Sequence, residues 1–214
     1  MASMQRAAPQ ALVFDLGGVL LDIDFERALT AWAPFSTLHL DDMRRAFCLD
    51  AHYERHERGE LDSTTFFEHL AAKLELNASH DEIRRGWNSI FVGEIAETLA
   101  MIESVRPLLP CYAFTNTNAT HMDAWSALYP AVVHAFDRIF ASHEMGLRKP
   151  DRAAFEQICR ATALAPESLV FFDDLAENVR AAAEVGLQAV LVRSPGDVAS
   201  TLERLGLWRR RRGA

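Results

Sequence analysis

Short, nearly unbroken apolar runs are the feature that most constrains the fold of this chain. Each of five runs spans four residues or fewer and lacks the polar alternation of a half-exposed strand. Runs of this kind are typical of strands that are covered on both faces. Because helical patterns separate the later runs, the sequence predicts βαβ units and a doubly wound, Rossmann-like parallel sheet of the α/β class. The predicted strands are Ala11–Phe14, Cys111–Phe114, Ile139–Ala141, Leu169–Phe172 and Ala189–Val192.

The interval between the first two predicted strands breaks this alternation. It contains no convincing strand pattern, but helical patterns occur at Leu40–Leu49, Ser63–Leu76 and His80–Val92. A crossover between parallel strands needs only about a dozen residues, so we expect the longer insertion to be a small domain. The predicted division is an α/β core domain of residues 1–21 and 104–214, with an inserted α-helical domain of residues 22–103.

Composition narrows the class of protein. With 22 basic and 30 acidic residues the formal net charge is −8, which disfavours nucleic acid as a partner because phosphate-backbone affinity depends on Lys and Arg. No apolar run approaches the roughly 18 residues of a membrane span, so no membrane partner is expected. We find no signal-peptide pattern at the start, and three scattered cysteines suit reduced thiols. These features predict a cytoplasmic protein.

Polar residues of types that can catalyse a reaction or bind a ligand follow the predicted strands directly. In doubly wound folds, ligands bind beyond the carboxyl ends of the strands, so the residues at these positions are expected to meet. Three of the strands are followed by carboxylates or by a hydroxyl, and a lysine comes after a fourth. The segments are Asp15-Leu16-Gly17-Gly18, Thr115-Asn116-Thr117-Asn118, Gly146-Leu147-Arg148-Lys149-Pro150 and Asp173-Asp174, with Asn178 a helical turn later.

These residue types suit phosphoryl chemistry at a metal ion. Three adjacent carboxylates would repel one another without a hard cation, and Mg²⁺ prefers oxygen ligands. Thr115 and Lys149 offer donors to a phosphoryl group, and an Asp near a cation can act as a nucleophile. Each motif taken singly also suits a turn or a helix cap. Four of them in this order at strand ends favour an active site.

The residues resemble the four motifs of the haloacid dehalogenase superfamily. The matching segments are Phe14-Asp15-Leu16-Gly17-Gly18-Val19, Phe114-Thr115-Asn116, Lys149-Pro150 and Phe171-Phe172-Asp173-Asp174, and the helical insertion lies at the position of the family's C1 cap. A set of segments resembles the subgroup of α-D-glucose-1-phosphate phosphatase, namely Asp15-Leu16-Gly17, Asp22-Ile23-Asp24-Phe25, His56-Glu57-Arg58-Gly59-Glu60, Gly86-Trp87, Asn116-Thr117-Asn118 and Gly146-Leu147-Arg148-Lys149-Pro150.

The resemblance implies a role for each motif residue. Asp15 would attack phosphorus and form an aspartyl phosphate. Mg²⁺ would be held by Asp15, the carbonyl of Gly17, Asp173 and Asp174, with Asp174 the more direct ligand of the last pair. Phosphoryl oxygens would be bound by Asp15, Thr115, the amide of Asn116 and Lys149, and Asn178 would support the metal site. Such positioning and charge stabilisation is most of what phosphoryl transfer requires.

One position departs from most phosphatases of the superfamily. A second Asp, two residues after the nucleophile, normally serves as general acid and base, but this chain has Gly17 there. Loss of acid–base help costs typically ~10²–10⁴ in rate. The glucose-1-phosphate phosphatase subgroup is similar at this site, and a sugar hemiacetal leaves more easily than a simple alcohol. Asp24 offers another carboxylate, although we interpret it first as the cap of the first inserted helix.

Residues outside the motifs have more than one interpretation. His52 and His56 are spaced for one helix face, which favours an exposed face or a contribution to substrate selection over a metal site. Trp87 suits burial in the cap core better than stacking on a sugar. His121 suits a surface helix position better than contact with a substrate hydroxyl. The basic run Arg209–Arg212 suits a solvated tail, and either Met1 or Met4 suits the natural start.

The leading prediction is therefore an Mg²⁺-dependent phosphomonoesterase acting on a small phosphorylated metabolite such as a sugar phosphate, as a monomer or homodimer. The first alternative is a haloacid dehalogenase, for which the retained pair Asp173-Asp174 would be unnecessary. The second is a non-catalytic binding or regulatory protein, which Gly17 suggests and the retained motif residues oppose. Phosphotransfer to an acceptor other than water is a further alternative.

Overall fold

The computed structural model describes residues 7–209, which form seven strands and twelve α-helices. The basic-run residues from Arg210 onward and both candidate start methionines lie outside this range. The strands are β1 Ala11–Phe14, β2 Leu21–Ile23, β3 Phe91–Glu94, β4 Cys111–Thr115, β5 Arg138–Ala141, β6 Leu169–Asp173 and β7 Gln188–Leu191. The helices are α1 Phe25–Trp32, α2 Leu40–Ala46, α3 Ala51–Glu57, α4 Ser63–Lys73, α5 His80–Asn88, α6 Ala96–Val105, α7 Ala119–Leu128, α8 Pro130–His134, α9 Ser142–Met145, α10 Arg152–Thr162, α11 Ala176–Val185 and α12 Pro195–Arg204.

The main sheet has five parallel strands in the order β5-β4-β1-β6-β7. All five predicted strands are present, and their bounds differ from the predicted ones by one residue at most. β1 lies in the centre and pairs with both β4 and β6, so the chain reverses its strand order beside β1. That reversal is the position where doubly wound folds bind ligands.

Helices cover both faces of this sheet. Successive side chains of a strand point to opposite faces, and in β1 Leu12 and Phe14 pack into one hydrophobic cluster while Ala11 and Val13 pack into another. The first cluster takes residues from α6, α7 and α12, and the second takes residues from α10 and α11. The doubly wound architecture predicted from the unbroken apolar runs is confirmed.

The inserted segment is mainly helical, but the expectation that it contains no strand is wrong. β2 and β3 form an antiparallel pair at its two ends, and only Leu21 of β2 is buried. β2 has only three residues, and its partner β3 is part-exposed and contains a glycine. Neither strand produces the continuous apolar run by which buried strands are recognised. For the same reason the helix expected over His80–Val92 stops at Asn88, before β3 begins.

Helix starts in the insertion follow their capping residues. The Asp62 carboxylate accepts a hydrogen bond from the Thr65 amide at 2.8 Å, and Ser79 forms a capping box with Glu82 at the start of α5. Such caps satisfy amides that have no partner within the helix. α6 is different, because its buried residues pack in the cluster of Leu12 and Phe14. The boundary at residue 103 stays a prediction, and the packing of α6 favours an earlier one.

A pair of stacked indoles forms the centre of the inserted segment between β2 and β3, which is called the cap below. Trp32 of α1 and Trp87 of α5 are fully buried, with nearly parallel rings whose centroids lie 6.3 Å apart. The Trp32 Nε1–H donates to the carbonyl of Ile83 at 3.0 Å. Gly86 permits this approach, because a Cβ atom there would lie 2.1 Å from Trp32 Nε1. Burial of Trp87 in the cap core agrees with the interpretation favoured from the sequence.

No helix among residues 7–209 is both long enough and apolar enough to cross a membrane.

We expect Gly86→Ala to lower the free energy of unfolding by about 1–3 kcal/mol, because the added methyl group must displace Trp32 in a close-packed core. Gly93→Ala in β3 is the matched control, since a Cβ atom at that position meets nothing within 4 Å. Urea unfolding followed by circular dichroism measures both variants. Equal stability of the two variants would contradict the packing described for Trp32.

Candidate active site

The carboxyl ends of three adjacent strands bring the motif residues together. Asp15 follows β1, Thr115 ends β4 and Asp173 ends β6, and all three residues are buried. The neighbouring strands pair in register, Phe14 with Ala113 and with Phe172, so the polar residues that follow lie side by side. Asp15, Thr115 and Lys149 border a cavity of about 250 Å³ between the sheet edge and the cap, and Asp174 borders it next to the buried Asp173.

Lys149 lies between two of the carboxylates. Its Nζ is 2.9 Å from Asp15 Oδ1 and 2.7 Å from Asp173 Oδ2, and the lysine is 1% exposed. Burial by itself would lower the pKa of Lys149, but the two carboxylates outweigh burial and raise it. Burial raises the pKa of Asp15, Lys149 opposes the rise, and Asp173 adds to it. The site therefore contains a charged lysine that offsets excess negative charge.

The Asn116 side chain positions the lysine segment. Its Nδ2 donates to the Lys149 carbonyl and its Oδ1 accepts from the Lys149 amide, both at 2.8 Å. From the sequence we expected only the backbone amide of Asn116 to act, at a phosphoryl oxygen. The side chain has an additional role, because it connects the end of β4 to the backbone that places Lys149 in the cavity.

Asp173 is held by hydrogen bonds on both oxygens. Oδ1 accepts from the Leu175 amide at 2.8 Å and from Asn178 Nδ2 at 3.0 Å, while Oδ2 accepts from Lys149. Asn178 is buried, and its Oδ1 has no hydrogen-bond partner among residues 7–209. Asn178 therefore lies beside Asp173 and donates to it, while its support of a metal site stays a prediction.

The carboxylates fit a divalent cation. Oxygen atoms of Asp15, Asp173 and Asp174 lie within 4.8 Å of one another, and oxygen-only donor sets suit Mg²⁺. Asp174 is the most accessible of the three, and burial followed by the charge of Asp173 raises its pKa. Gly18, at φ +67°, leaves room for it, because a Cβ atom there would lie 2.4 Å from Asp174 Oδ2. An unpaired oxygen on Asn178 adds a further acceptor beside the group.

Gly17 borders the cavity, but Asp24 has a structural position. The exposed Asp24 carboxylate accepts from the Glu26 amide at 2.9 Å and caps α1, as the sequence interpretation favoured. It does not appear among the residues that border the cavity.

His121 is buried, so the surface position favoured from the sequence is wrong. Its ring stacks on Trp87 with centroids 4.4 Å apart, and its Nε2 lies 3.0 Å from the Trp87 carbonyl. Asn118 Oδ1 accepts from the His121 amide, so the Asn118 amino group faces Nδ1 at 3.2 Å. Nδ1 is therefore an acceptor and Nε2–H a donor, which is the neutral imidazole. Burial lowers the pKa of His121 to about 3.

His56 is also buried, and the exposed helix face expected for it is wrong. Its ring stacks on Phe66, its Nδ1 lies 2.9 Å from the Leu61 carbonyl, and burial lowers its pKa. It does not border the cavity described above. His52 stacks on His69 instead, with Asp50 nearby. The Lys73 ammonium is 2.5 Å from Asp50 in this group, which disfavours a cation there.

The sequence assigned no role to three residues of the cavity wall. Tyr53 and Glu57 belong to α3 of the cap, and Arg148 precedes Lys149 in the core. Two of them lie in segments quoted for the subgroup resemblance, and that was the available signal. The contact between Glu57 and Arg148 was not predictable from the sequence, because these two residues are 91 positions apart.

Comparison with known proteins identifies the family. A family model described as haloacid dehalogenase-like hydrolase matches residues 9–186. A phosphatase of Mycobacterium tuberculosis is 31% identical over 197 residues, which cover 87% of this chain and 88% of the relative. The D-ribitol-5-phosphate phosphatase of Bacteroides thetaiotaomicron is 23% identical over 182 residues, which cover 83% and 88%.

A solved structure agrees with these relatives. A haloacid dehalogenase-family enzyme of Bacteroides thetaiotaomicron, in complex with magnesium and inorganic phosphate, superposes with a TM-score of 0.76 at 25% identity. The match covers 86% of this chain and 94% of that one. The chain therefore belongs to the haloacid dehalogenase-like hydrolase family. It is an enzyme whose relatives include phosphatases, which confirms the superfamily and the enzyme class expected from the sequence motifs.

We expect the neutral, buried His121 to make stability fall with acid. Its folded pKa of about 3 lies below the unfolded value of 6.5, so below pH 6.5 the unfolded chain binds more protons. Stability is then lost as pH falls, by at most about 1.4 kcal/mol per pH unit from one such group. Urea unfolding between about pH 4 and 6.5 measures this dependence.

His121→Gln should make that dependence less steep, whereas His39→Gln, at an exposed position before α2, should leave it unchanged. The buried His56 is expected to retain a smaller acid sensitivity in both variants. An identical pH slope in wild type and His121→Gln would show that His121 is not held neutral in the folded chain.

Proposed function

We propose that this enzyme is an Mg²⁺-dependent phosphomonoesterase of small phosphorylated metabolites, with Asp15 as its nucleophile. The carrying observation is the buried group of Asp15, Asp173 and Lys149 beside the more accessible Asp174. Lys149 contacts two of the carboxylates but carries one positive charge against the three, so the group keeps excess negative charge that a divalent cation would offset. The phosphatase relatives support the reaction class.

The proposed reaction has two displacements at phosphorus. A carboxylate oxygen of Asp15 forms a bond to phosphorus as the bond to the leaving oxygen breaks, giving an aspartyl phosphate and an alkoxide that takes a proton from water. A second water then attacks phosphorus, the bond between phosphorus and the Asp15 oxygen breaks, and inorganic phosphate and the free Asp15 carboxylate are released. The proton lost by this water neutralises the hydroxide left when the alkoxide was protonated. Lys149 offsets negative charge at the nucleophile, and Thr115 and the Asn116 amide bind phosphoryl oxygens. Asn116 positions the Lys149 backbone through its side chain.

Asp15, the Gly17 carbonyl, Asp173 and Asp174 would hold Mg²⁺, with Asp174 as the more direct ligand of the last pair. Both Asp173 oxygens already accept hydrogen bonds, which favours Asp174 for that role. When bound, the cation would neutralise carboxylate and phosphoryl oxygens and so permit anionic groups to approach each other. Asn178 would keep Asp173 oriented.

A sugar phosphate such as α-D-glucose 1-phosphate is the proposed substrate class. The cavity of about 250 Å³ is small, below the ~300–1,000 Å³ of drug-sized pockets. Gly17 supplies no acid for the leaving oxygen, and a hemiacetal at C1 is easier to expel than a simple alcohol. A relative that acts on D-ribitol 5-phosphate supports a polyhydroxylated leaving group. The cytoplasmic location and the monomeric or homodimeric state stay predictions.

The alternatives make less use of this site. A haloacid dehalogenase would not need Asp174, yet the close approach of Gly18 leaves space for its carboxylate. A binding protein would not need a lysine paired with the nucleophile. Transfer to an acceptor other than water differs only in the second displacement, so product analysis separates it from hydrolysis.

Phosphate release from a panel of phosphomonoesters, with Mg²⁺ or with EDTA, tests the proposal. We expect metal-dependent release that favours glucose 1-phosphate. Asp15→Asn should reduce it more than about 10³-fold, because the amide is not a nucleophile. Thermal unfolding of this variant checks that the fold is retained. Failure of the wild type on every ester, with Mg²⁺ bound, would support the binding-protein alternative.

Asp174→Asn tests the metal role separately. We expect the Mg²⁺ concentration for half-maximal activity to rise more than about tenfold, since a carboxylate ligand is lost. Glu177→Gln is the matched control, because Glu177 is exposed on the first turn of α11. An unchanged Mg²⁺ requirement in Asp174→Asn would move the ligand role to Asp173.

A further inference from the structure

An ion pair joins the cap to the core in the wall of the cavity. Arg148 Nε and Nη2 both lie 2.9 Å from Glu57 Oε2. The Glu57 side chain is 3% exposed and that of Arg148 is 16% exposed, so the pair is largely removed from water. Arg148 Nη1 also lies 3.5 Å from Glu54 Oε1. Because a guanidinium has five N–H donors, several donors remain for a ligand.

Tyr53 fixes the cap side of this pair. Its ring packs against Trp87 and Phe66 in the cap core, with centroids 6.0 Å and 6.4 Å away. Its hydroxyl lies beside Glu57, and burial together with that carboxylate raises the pKa of Tyr53. The phenol therefore keeps its proton as a hydrogen-bond donor. Side chains anchored in a packed cluster can hold polar groups at fixed positions.

The charges around the cavity indicate what it accepts. Among residues 7–209, the cations that border the cavity are Arg148 and Lys149. Lys149 is paired with Asp15 and Asp173, and Arg148 is paired with Glu57. A carboxylate or second phosphate on the leaving group would find no unpaired cation beyond the phosphoryl site. Neutral hydroxyl groups can both donate to Glu57 and accept from Arg148 without this cost.

We propose that Arg148 binds hydroxyl groups of the leaving group and that Glu57 and Tyr53 position Arg148. Together, Arg148, Glu57 and Tyr53 form a cluster without net charge. This cluster selects polyhydroxylated, uncharged leaving groups over anionic ones. The inference rests on the proposed phosphatase function and adds the residues that choose the substrate. Arg148 is adjacent in sequence to Lys149, so one segment would serve both the phosphoryl group and the leaving group.

Four esters separate leaving-group recognition from chemistry. Glucose 1-phosphate and D-ribitol 5-phosphate have neutral, hydroxylated leaving groups, phenyl phosphate has no hydroxyl, and 3-phosphoglycerate has a carboxylate. For the wild type with Mg²⁺, we expect kcat/KM for the better hydroxylated ester to exceed that for 3-phosphoglycerate at least tenfold. Turnover of phenyl phosphate reports the phosphatase reaction independently of this cluster.

Glu57→Gln and Tyr53→Phe test the cluster with little change of shape. We expect Glu57→Gln to lower kcat/KM for the hydroxylated ester at least tenfold, with a loss at least fivefold smaller for phenyl phosphate. The ratio of kcat/KM for 3-phosphoglycerate to kcat/KM for the hydroxylated ester should rise, because Arg148 then lacks the negative charge of Glu57. Tyr53→Phe should shift the same ratios by a smaller factor, and it remains informative if Glu57→Gln fails to fold.

Asp151→Asn is the matched control for a purely structural role. Asp151 pairs with Arg58 of the cap at 3.1 Å, across the same boundary, but does not border the cavity. We expect its specificity ratios to equal those of the wild type. Equal losses for all esters in Glu57→Gln and Tyr53→Phe, or the same ratio shift in Asp151→Asn, would overturn the proposal. Wild-type turnover of phenyl phosphate without a preference for hydroxylated esters would overturn the specificity proposal alone, and no turnover of any ester would overturn both.

Discussion

The paired contact of Lys149 with Asp15 and Asp173 is the interaction on which the site depends. Parallel strands end at one edge, so the fold places carboxylates side by side, where burial raises the cost of their charges. A buried lysine within 3 Å of both carboxylates offsets that repulsion. The side chain of Asn116 holds the Lys149 backbone, and Asn178 holds Asp173. The arrangement is therefore organised before any substrate arrives, which is what electrostatic catalysis requires.

The cap is joined to this centre by two buried contacts of different character. His121 of the core stacks on Trp87 of the cap as a neutral ring, and Arg148 of the core pairs with Glu57 of the cap as a charge. The first contact is apolar and hydrogen-bonded, and acid weakens it. The second lies in the wall of the cavity that Asp15 and Lys149 also border. Both contacts therefore attach the cap, and under the proposal the ion pair also selects the leaving group.

The sequence predicts the core of this fold better than its cap, for a physical reason. Strands buried on both faces produce apolar runs that can be recognised from the local sequence alone. Where these strands are parallel, the residues that follow them lie at the same edge of the sheet. The cap ribbon of β2 and β3 is short and half exposed, so it leaves no comparable run. His56 is buried against Phe66 of the next helix, and His121 is buried against Trp87 of the cap. Because both contacts join different helices, the pattern within one helix did not predict that these histidines are buried. The Glu57–Arg148 pair was not predicted because its two residues are 91 positions apart in the sequence.

Gly17 makes recognition of the leaving group more consequential than in an enzyme with a second aspartate. Without a general acid, the leaving oxygen departs with its charge, so the rate depends on how readily that oxygen accepts charge. Contacts that hold the remainder of the leaving group can lower the barrier only if they strengthen as the bond breaks. Arg148 borders the same cavity as Lys149 and Asp15, so in the proposed reaction its remaining donors would be close to oxygens of the leaving group. A neutral, rigid cluster at this position would therefore serve both selectivity and rate.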